Sequence, residues 1–151
     1  MISTADAPAS TGTIQVATFR VGDMRLGIDI RHVQEINRSL VARRAPHAPA
    51  CVFGVANLRG EVVTLLDLRI MLGLPRADES SPRRAVVLHS QEESIALIVE
   101  EICDVVAVDE ADLTPTPPNV GGADARYFRA VYQTETYLLI LLDVEEALRI
   151  D

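Results

Sequence analysis

The chain has no tryptophan and no lysine, only three phenylalanines, three tyrosines and two cysteines, and nowhere more than six consecutive apolar residues. Each shortage excludes something. Cys51 and Cys103 are too few and too far apart for a disulfide framework or a CxxC zinc or redox pair, and they fit a reducing, cytosolic compartment. The longest apolar run, Tyr137 to Leu142, is too short for a membrane span, and no cation precedes Arg20, so no secretion signal is read. No direct membrane insertion is expected. The 14 cations, all arginine, face 22 carboxylates, which gives a formal charge of −8 and a pI near 4.8. A grip on phosphates needs clustered cations, so nucleic acid is not an expected partner. The charge is uneven: residues 1 to 76 hold nine arginines against six acids, and residues 77 to 151 five against sixteen. Arginine's planar donor fork suits protein interfaces, although genome composition explains such a bias equally well.

What is present is aliphatic. Hydrophobic residues make up 48% of 151 residues and charged residues 24%, enough to fold as one domain or as two small lobes sharing a core. Seventeen valines and eleven isoleucines lean towards strands, where branched side chains pack well. Residues 1 to 13 lack any period and read as a loose, disordered tail. After it, short apolar runs are cut by turn signals, with candidate strands at 14 to 21, 26 to 30, 52 to 58, 61 to 67, 84 to 89, 95 to 100, 105 to 108, 128 to 133 and 137 to 142. Such spacing indicates an all-β barrel or sandwich. Brief helical stretches are expected at 31 to 37, 68 to 72 and 144 to 150.

The chain also repeats itself. Residues 19 to 36 lie over 88 to 105 at an offset of 69, with Leu26 on Ile95, Ile28 on Leu97 and Val33 on Ile102. Residues 54 to 72 lie over 130 to 148 at an offset of 76, with Asp67 on Asp143. The change of offset falls in the Pro- and Gly-rich stretch 114 to 126. Two related β lobes follow, about 14 to 76 and 83 to 150, each small enough to need a joint core. Asp67 and Asp143 close apolar strands just before helical stretches, where a carboxylate accepts orphan backbone N–H groups as an N-cap.

Catalytic chemistry lacks its parts. His32, His47 and His89 show no metal-ligand spacing, and no GxSxG, P-loop or GxGxxG is present. No catalytic residue, metal or cofactor is expected. The acidic clusters read as solvated faces, because catalytic carboxylates sit in pockets that perturb them. A constellation without chemistry remains: Val33-Gln34-Glu35-Ile36 and Asn57-Leu58-Arg59-Gly60. The turn between the two long strands of the first lobe reads NLRG, and its counterpart reads QTET (133 to 136), so the fold alone does not demand Asn, Arg and Gly there. Selection for contact explains the difference, as does drift between two ordinary hairpin turns.

At these residues the chain resembles the CheW-like domain family of bacterial chemotaxis signalling. The likeness rests on RLGIDIRHVQEI, on APHAP followed by VFGVANLRGEVVTLLDLR, on IALIVEEICDVV and on LILLDVEEAL, from about Ala17 to Arg149. It implies two packed five-stranded β-barrel lobes and no enzymatic activity. It also implies two protein partners, the CheW-like regulatory domain of a histidine kinase and the cytoplasmic tip of chemoreceptors, with a location in the cytoplasm at membrane-bound receptor arrays. Glu35 and Arg59 match a charged pair of receptor coupling, with Ile36, Asn57, Leu58 and Gly60 around it and Ile102 and Val105 across a receptor groove. Val33 and Gly54 match positions of kinase contact. The chain departs from the family pattern at Leu26, Thr64 and Ala130, which leaves the receptor class and pathway open. Alternatives are an adaptor of a non-flagellar system, for pilus motility or second-messenger control, and a small β-barrel ligand carrier using Glu35, Asp67 and a histidine. A fragment of a longer kinase or receiver-fused protein is a third, against which the loose start and the end at Ile150-Asp151 speak.

Overall fold

The computed structural model describes residues 12–75, 83–89, 94–118 and 125–149. Its first half runs β1 (Thr13–Val21), β2 (Met24–Asp29), β3 (Val33–Leu40), β4 (Arg43–Arg44), β5 (Val52–Leu58), β6 (Glu61–Asp67) and α1 (Leu68–Met71). The second half runs β7 (Arg83–Leu88), β8 (Ser94–Val99), β9 (Glu101–Asp109), β10 (Phe128–Gln133), β11 (Leu138–Leu142) and α2 (Val144–Ala147). One sheet has the order β10-β11-β2-β1-β9, the other β3-β7-β8-β6-β5-β4. The expected all-β class holds, as two packed sheets.

The apolar runs are continuous because their strands are buried on both faces. Ile95, Leu97 and Val99 of β8 enter a core shared with Phe19, Leu26 and Ile28 of the other sheet, while Ala96 and Ile98 enter a second core with Phe53, Val63 and Leu65. In β11, Ile140 and Leu142 face the shared core, and Leu139 and Leu141 pack with Ile14, Val16 and Val108. Three cores therefore alternate with two sheets, and the shared one fastens the molecule together.

The repeat is visible in the registers. Pairing of Arg25 with Leu139 has its mate, at offsets of 69 and 76, in the pairing of Ser94 with Val63. Even the irregularities repeat: β5 shifts register between Val52 and Gly54 and β10 between Phe128 and Ala130. The sheets nevertheless do not follow the consecutive lobes expected at 14 to 76 and 83 to 150. The hairpin β1–β2 joins β9, β10 and β11, and the hairpin β7–β8 joins β3 to β6. Each half lends its first hairpin to the other, so that both halves fill the shared core, which a half of this size lacks alone.

Val33–Leu40 is a strand, not the expected helix over 31 to 37; a single 3-10 turn covers Ile30–His32. Val33 and Ile36 are spaced as on a helix, but a register shift between Val33 and Glu35 breaks the two-residue alternation. The expected tail lies outside the described residues up to position 11, and β1 already begins at Thr13. Asp67 and Asp143 do cap α1 and α2, accepting from the backbone N–H of Arg69 at 3.1 Å and of Glu146 at 3.2 Å. The capped helix α2 ends at Ala147, short of the expected 150.

Candidate functional site

The β5–β6 hairpin closes with two residues, Arg59 and Gly60, both in left-handed backbone with φ of 54° and 86°. A two-residue turn of this kind matches the twist of its strands, and Asn57 secures it by accepting from the Gly60 N–H at 3.1 Å. Glycine adopts this conformation freely, whereas arginine does so at a cost. Arg59 is thus held at a tip where the backbone alone would favour another residue.

From that tip the Arg59 guanidinium reaches β3, on the far edge of the same sheet, and Nη1 donates to Glu35 Oε1 at 2.7 Å. The arginine side chain is 78% exposed and the carboxylate 18%. An ion pair this open adds little stability, but it fixes the direction of a planar donor fork towards solvent. The repeat gives an internal control. Glu35 has Asp104 as its mate and Arg59 has Glu135, so the second half carries two acids where the first carries a pair. The turn there is built differently, with Thr134 Oγ1 accepting from the N–H of Thr136 and Tyr137.

The other expected residues divide between the sheets. Ile36 is half-buried on β3, and Leu58 is half-buried against the core of the six-stranded sheet. Val33 and Ile102, symmetry mates, both pack against the shared core, and Val105, mate of Ile36, stands 52% exposed on β9. Gly54 offers no surface of its own: it is buried, and a Cβ there would lie 2.0 Å from the Arg43 carbonyl oxygen. Sequence reasoning missed Val62, 68% exposed, and Val41, 64% exposed. Alternation in β6 carries the signal for Val62, since Val63 and Leu65 face the core. For Val41 no pattern gives it.

Charged groups elsewhere serve the frame. Arg31 donates to both oxygens of the buried Asp29 carboxylate, and these bonds hold that carboxyl below its usual range against the opposing effect of burial. Burial would raise the Glu100 carboxyl, but the Gly22 N–H and the Arg69 and Arg20 guanidiniums outweigh it and lower it. Among the described residues no three His, Cys, Asp or Glu side chains gather as metal ligands would. A cleft of about 350 Å³ beside α2 is lined by residues including Asp29, Arg31, His32, Arg129 and Asp143, and not by Glu35 or Asp67. Asp67 is fully buried as a helix cap, so the ligand-carrier constellation does not assemble.

A directed guanidinium, half-buried aliphatics beside it and a rigid two-sheet frame behind it are the equipment of a protein that binds other proteins. Comparison with known proteins narrows the class. The chain belongs to the CheW-like domain family, whose model matches residues 15–151. It is 30% identical over 136 residues to the chemotaxis protein CheW of Rhizobium meliloti, covering 90% of this chain and 88% of that one. Against CheW of Treponema pallidum it is 32% identical, covering 87% and 80%, and against protein FrzA of Myxococcus xanthus 31%, covering 76% and 71%. The fold is that of the scaffolding protein CheW of Thermoanaerobacter tengcongensis, with a TM-score of 0.77 at 23% identity over 87% of this chain and 90% of that one. No helix among the described residues is long and apolar enough to cross a membrane.

Proposed function

We propose that this protein is a non-enzymatic adaptor that couples chemoreceptors to a histidine kinase in a cytoplasmic, receptor-associated array. The observation that carries the reading is the Glu35–Arg59 pair, built at a conformational cost in one half of a repeat whose other half has acids in both places. In this reading Ile36 and Leu58 bury against the apolar face of a receptor helical hairpin, Arg59 sets its register, and Asn57 and Gly60 hold the turn. Ile102 and Val105 contribute the aliphatic side supplied by the other sheet, and Val33 faces the kinase. Receptor and kinase then bias one another's populations through the adaptor, provided that each binds its on and off states with different affinity. The names of the relatives support the pathway, chemotaxis, and the likeness to FrzA, a relative not named for chemotaxis, favours a second reading as the adaptor of another chemosensory system.

The test is to titrate the purified protein by calorimetry against the regulatory domain of a histidine kinase and against receptor-bearing membranes from the same source. Saturable binding to both is expected. Binding to neither refutes the adaptor reading.

A further inference from the structure

Val33 and Leu88 stand opposite one another in the β3–β7 ladder, and both pack against the shared core. One residue further out on each chain are two histidines, His32 and His89, 57 positions apart in sequence. The His89 backbone N–H donates to the His32 carbonyl oxygen at 2.9 Å, so the ladder runs one rung beyond both strands. Successive side chains of an extended strand point to opposite faces. With Val33 and Leu88 turned into the core, the two imidazoles leave it on a common side, and both histidines are exposed. Opposed residues of this kind hold their Cβ atoms about 5 Å apart.

That spacing suits a metal ion. Two imidazole nitrogens at about 2.0–2.1 Å from one tetrahedral ion stand about 3.3 Å apart, so rings on opposed strands close on it by turning about their side-chain bonds alone. Among the described residues no hydrogen bond or ion pair holds either ring. The adjacent cation, Arg31, is engaged by Asp29, which accepts from its Nε at 3.1 Å and its Nη2 at 2.7 Å. Asp29 and Asp143, which line the cleft together with His32, are committed to Arg31 and to the α2 backbone. Neither supplies a third ligand, and water completes the shell. Two imidazoles with open positions favour zinc, nickel or copper over magnesium or calcium, which take oxygen ligands. Spacing along the chain misses this pair, because only the ladder brings the two histidines together.

We propose that His32 and His89 form a two-imidazole clamp for a divalent transition-metal ion of the zinc, nickel and copper group. The ion joins the two halves of the repeat. His32 precedes β3, which the first half contributes to the six-stranded sheet, and His89 follows β7, in the hairpin that the second half lends to it. An ion held by both residues binds the folded chain far better than the unfolded one, in which 57 positions separate them, and so stabilises the fold by mass action. The clamp does not depend on the adaptor role.

The untagged protein is titrated by calorimetry with nickel chloride and with zinc chloride, beside His32→Asn, His89→Asn and, as a control on the third histidine, His47→Asn. All three side chains are exposed, so the variants fold as the unaltered protein does. Melting is recorded with and without metal. One ion per chain is expected for the unaltered protein and for His47→Asn. In His32→Asn and in His89→Asn the affinity is expected to fall about tenfold or more, since even an outer-shell partner of a metal ligand costs that much. Nickel is expected to raise the melting temperature of the unaltered protein and of His47→Asn only. Absence of binding to the unaltered protein overturns the proposal, as does an affinity unchanged in both His32→Asn and His89→Asn. A loss in only one of those two, or an equal loss in His47→Asn, overturns the pair as the site.

Discussion

Replacing Arg59 by glycine removes the guanidinium without giving the turn a reason to unfold. The lost pair is a surface one, its arginine 78% exposed, and such pairs stabilise by about 0.2–1 kcal/mol. Against that loss, the left-handed backbone at Arg59 costs roughly 1–2 kcal/mol for a side chain that glycine does not carry, and glycine returns about 0.5–1 kcal/mol of that in chain entropy. The terms nearly cancel, so urea unfolding is expected to shift by less than about 1 kcal/mol, or about 4 °C in Tm. Binding behaves otherwise. An arginine anchor at the centre of an interface is worth about 2 kcal/mol, so co-sedimentation with receptor-bearing membranes is expected to weaken about thirtyfold. Receptor binding equal to that of the unaltered protein removes Arg59 from the site. A loss of more than about 3 kcal/mol of stability means that the side chain works inside the fold, and the reasoning from its exposure fails.

The frame makes further predictions. Leu97, fully buried in the shared core, leaves a cavity when changed to alanine, and urea unfolding is expected to show a loss of about 2–5 kcal/mol. The Asp29 and Glu100 carboxyls both lie below their usual range in the folded protein. Their contribution is therefore present above the ordinary carboxylate pKa and is lost as pH falls through the folded values, so stability is expected to decline below about pH 4, less steeply in Glu100→Gln. Separate polypeptides of residues 12–75 and 83–149 are each expected to show the circular dichroism of unfolded chains and to gain strand signal on mixing, because each lacks the hairpin the other lends; a half that folds alone contradicts the exchange.

Much of this architecture is legible in the residues, because the period of two and the turn signals report burial directly. Val52–Leu58, Glu61–Asp67 and Phe128–Gln133 fall on their expected ranges, and both Asp caps follow from a carboxylate placed after an apolar strand. β3 escapes this reasoning because its register shift brings Val33 and Ile36 to a helical spacing. The exchange of hairpins escapes it for a different reason: apolar patterning says that Leu26 and Ile95 are buried, not which half they complete. Glu35 and Arg59, 24 positions apart, become partners only once the sheet brings its edge to the β5–β6 turn. Gly54 is the sharpest case, since the close approach of the Arg43 carbonyl oxygen that confines it leaves no mark in the sequence.

Receptor control over the kinase is proposed to pass through this molecule. It is tested by measuring kinase autophosphorylation on receptor-bearing membranes, with and without receptor stimulus, as this protein is added. Kinase output is expected to respond to the stimulus only when the protein is present and to lose the response with Arg59→Gly. Output that responds equally in its absence contradicts the adaptor role.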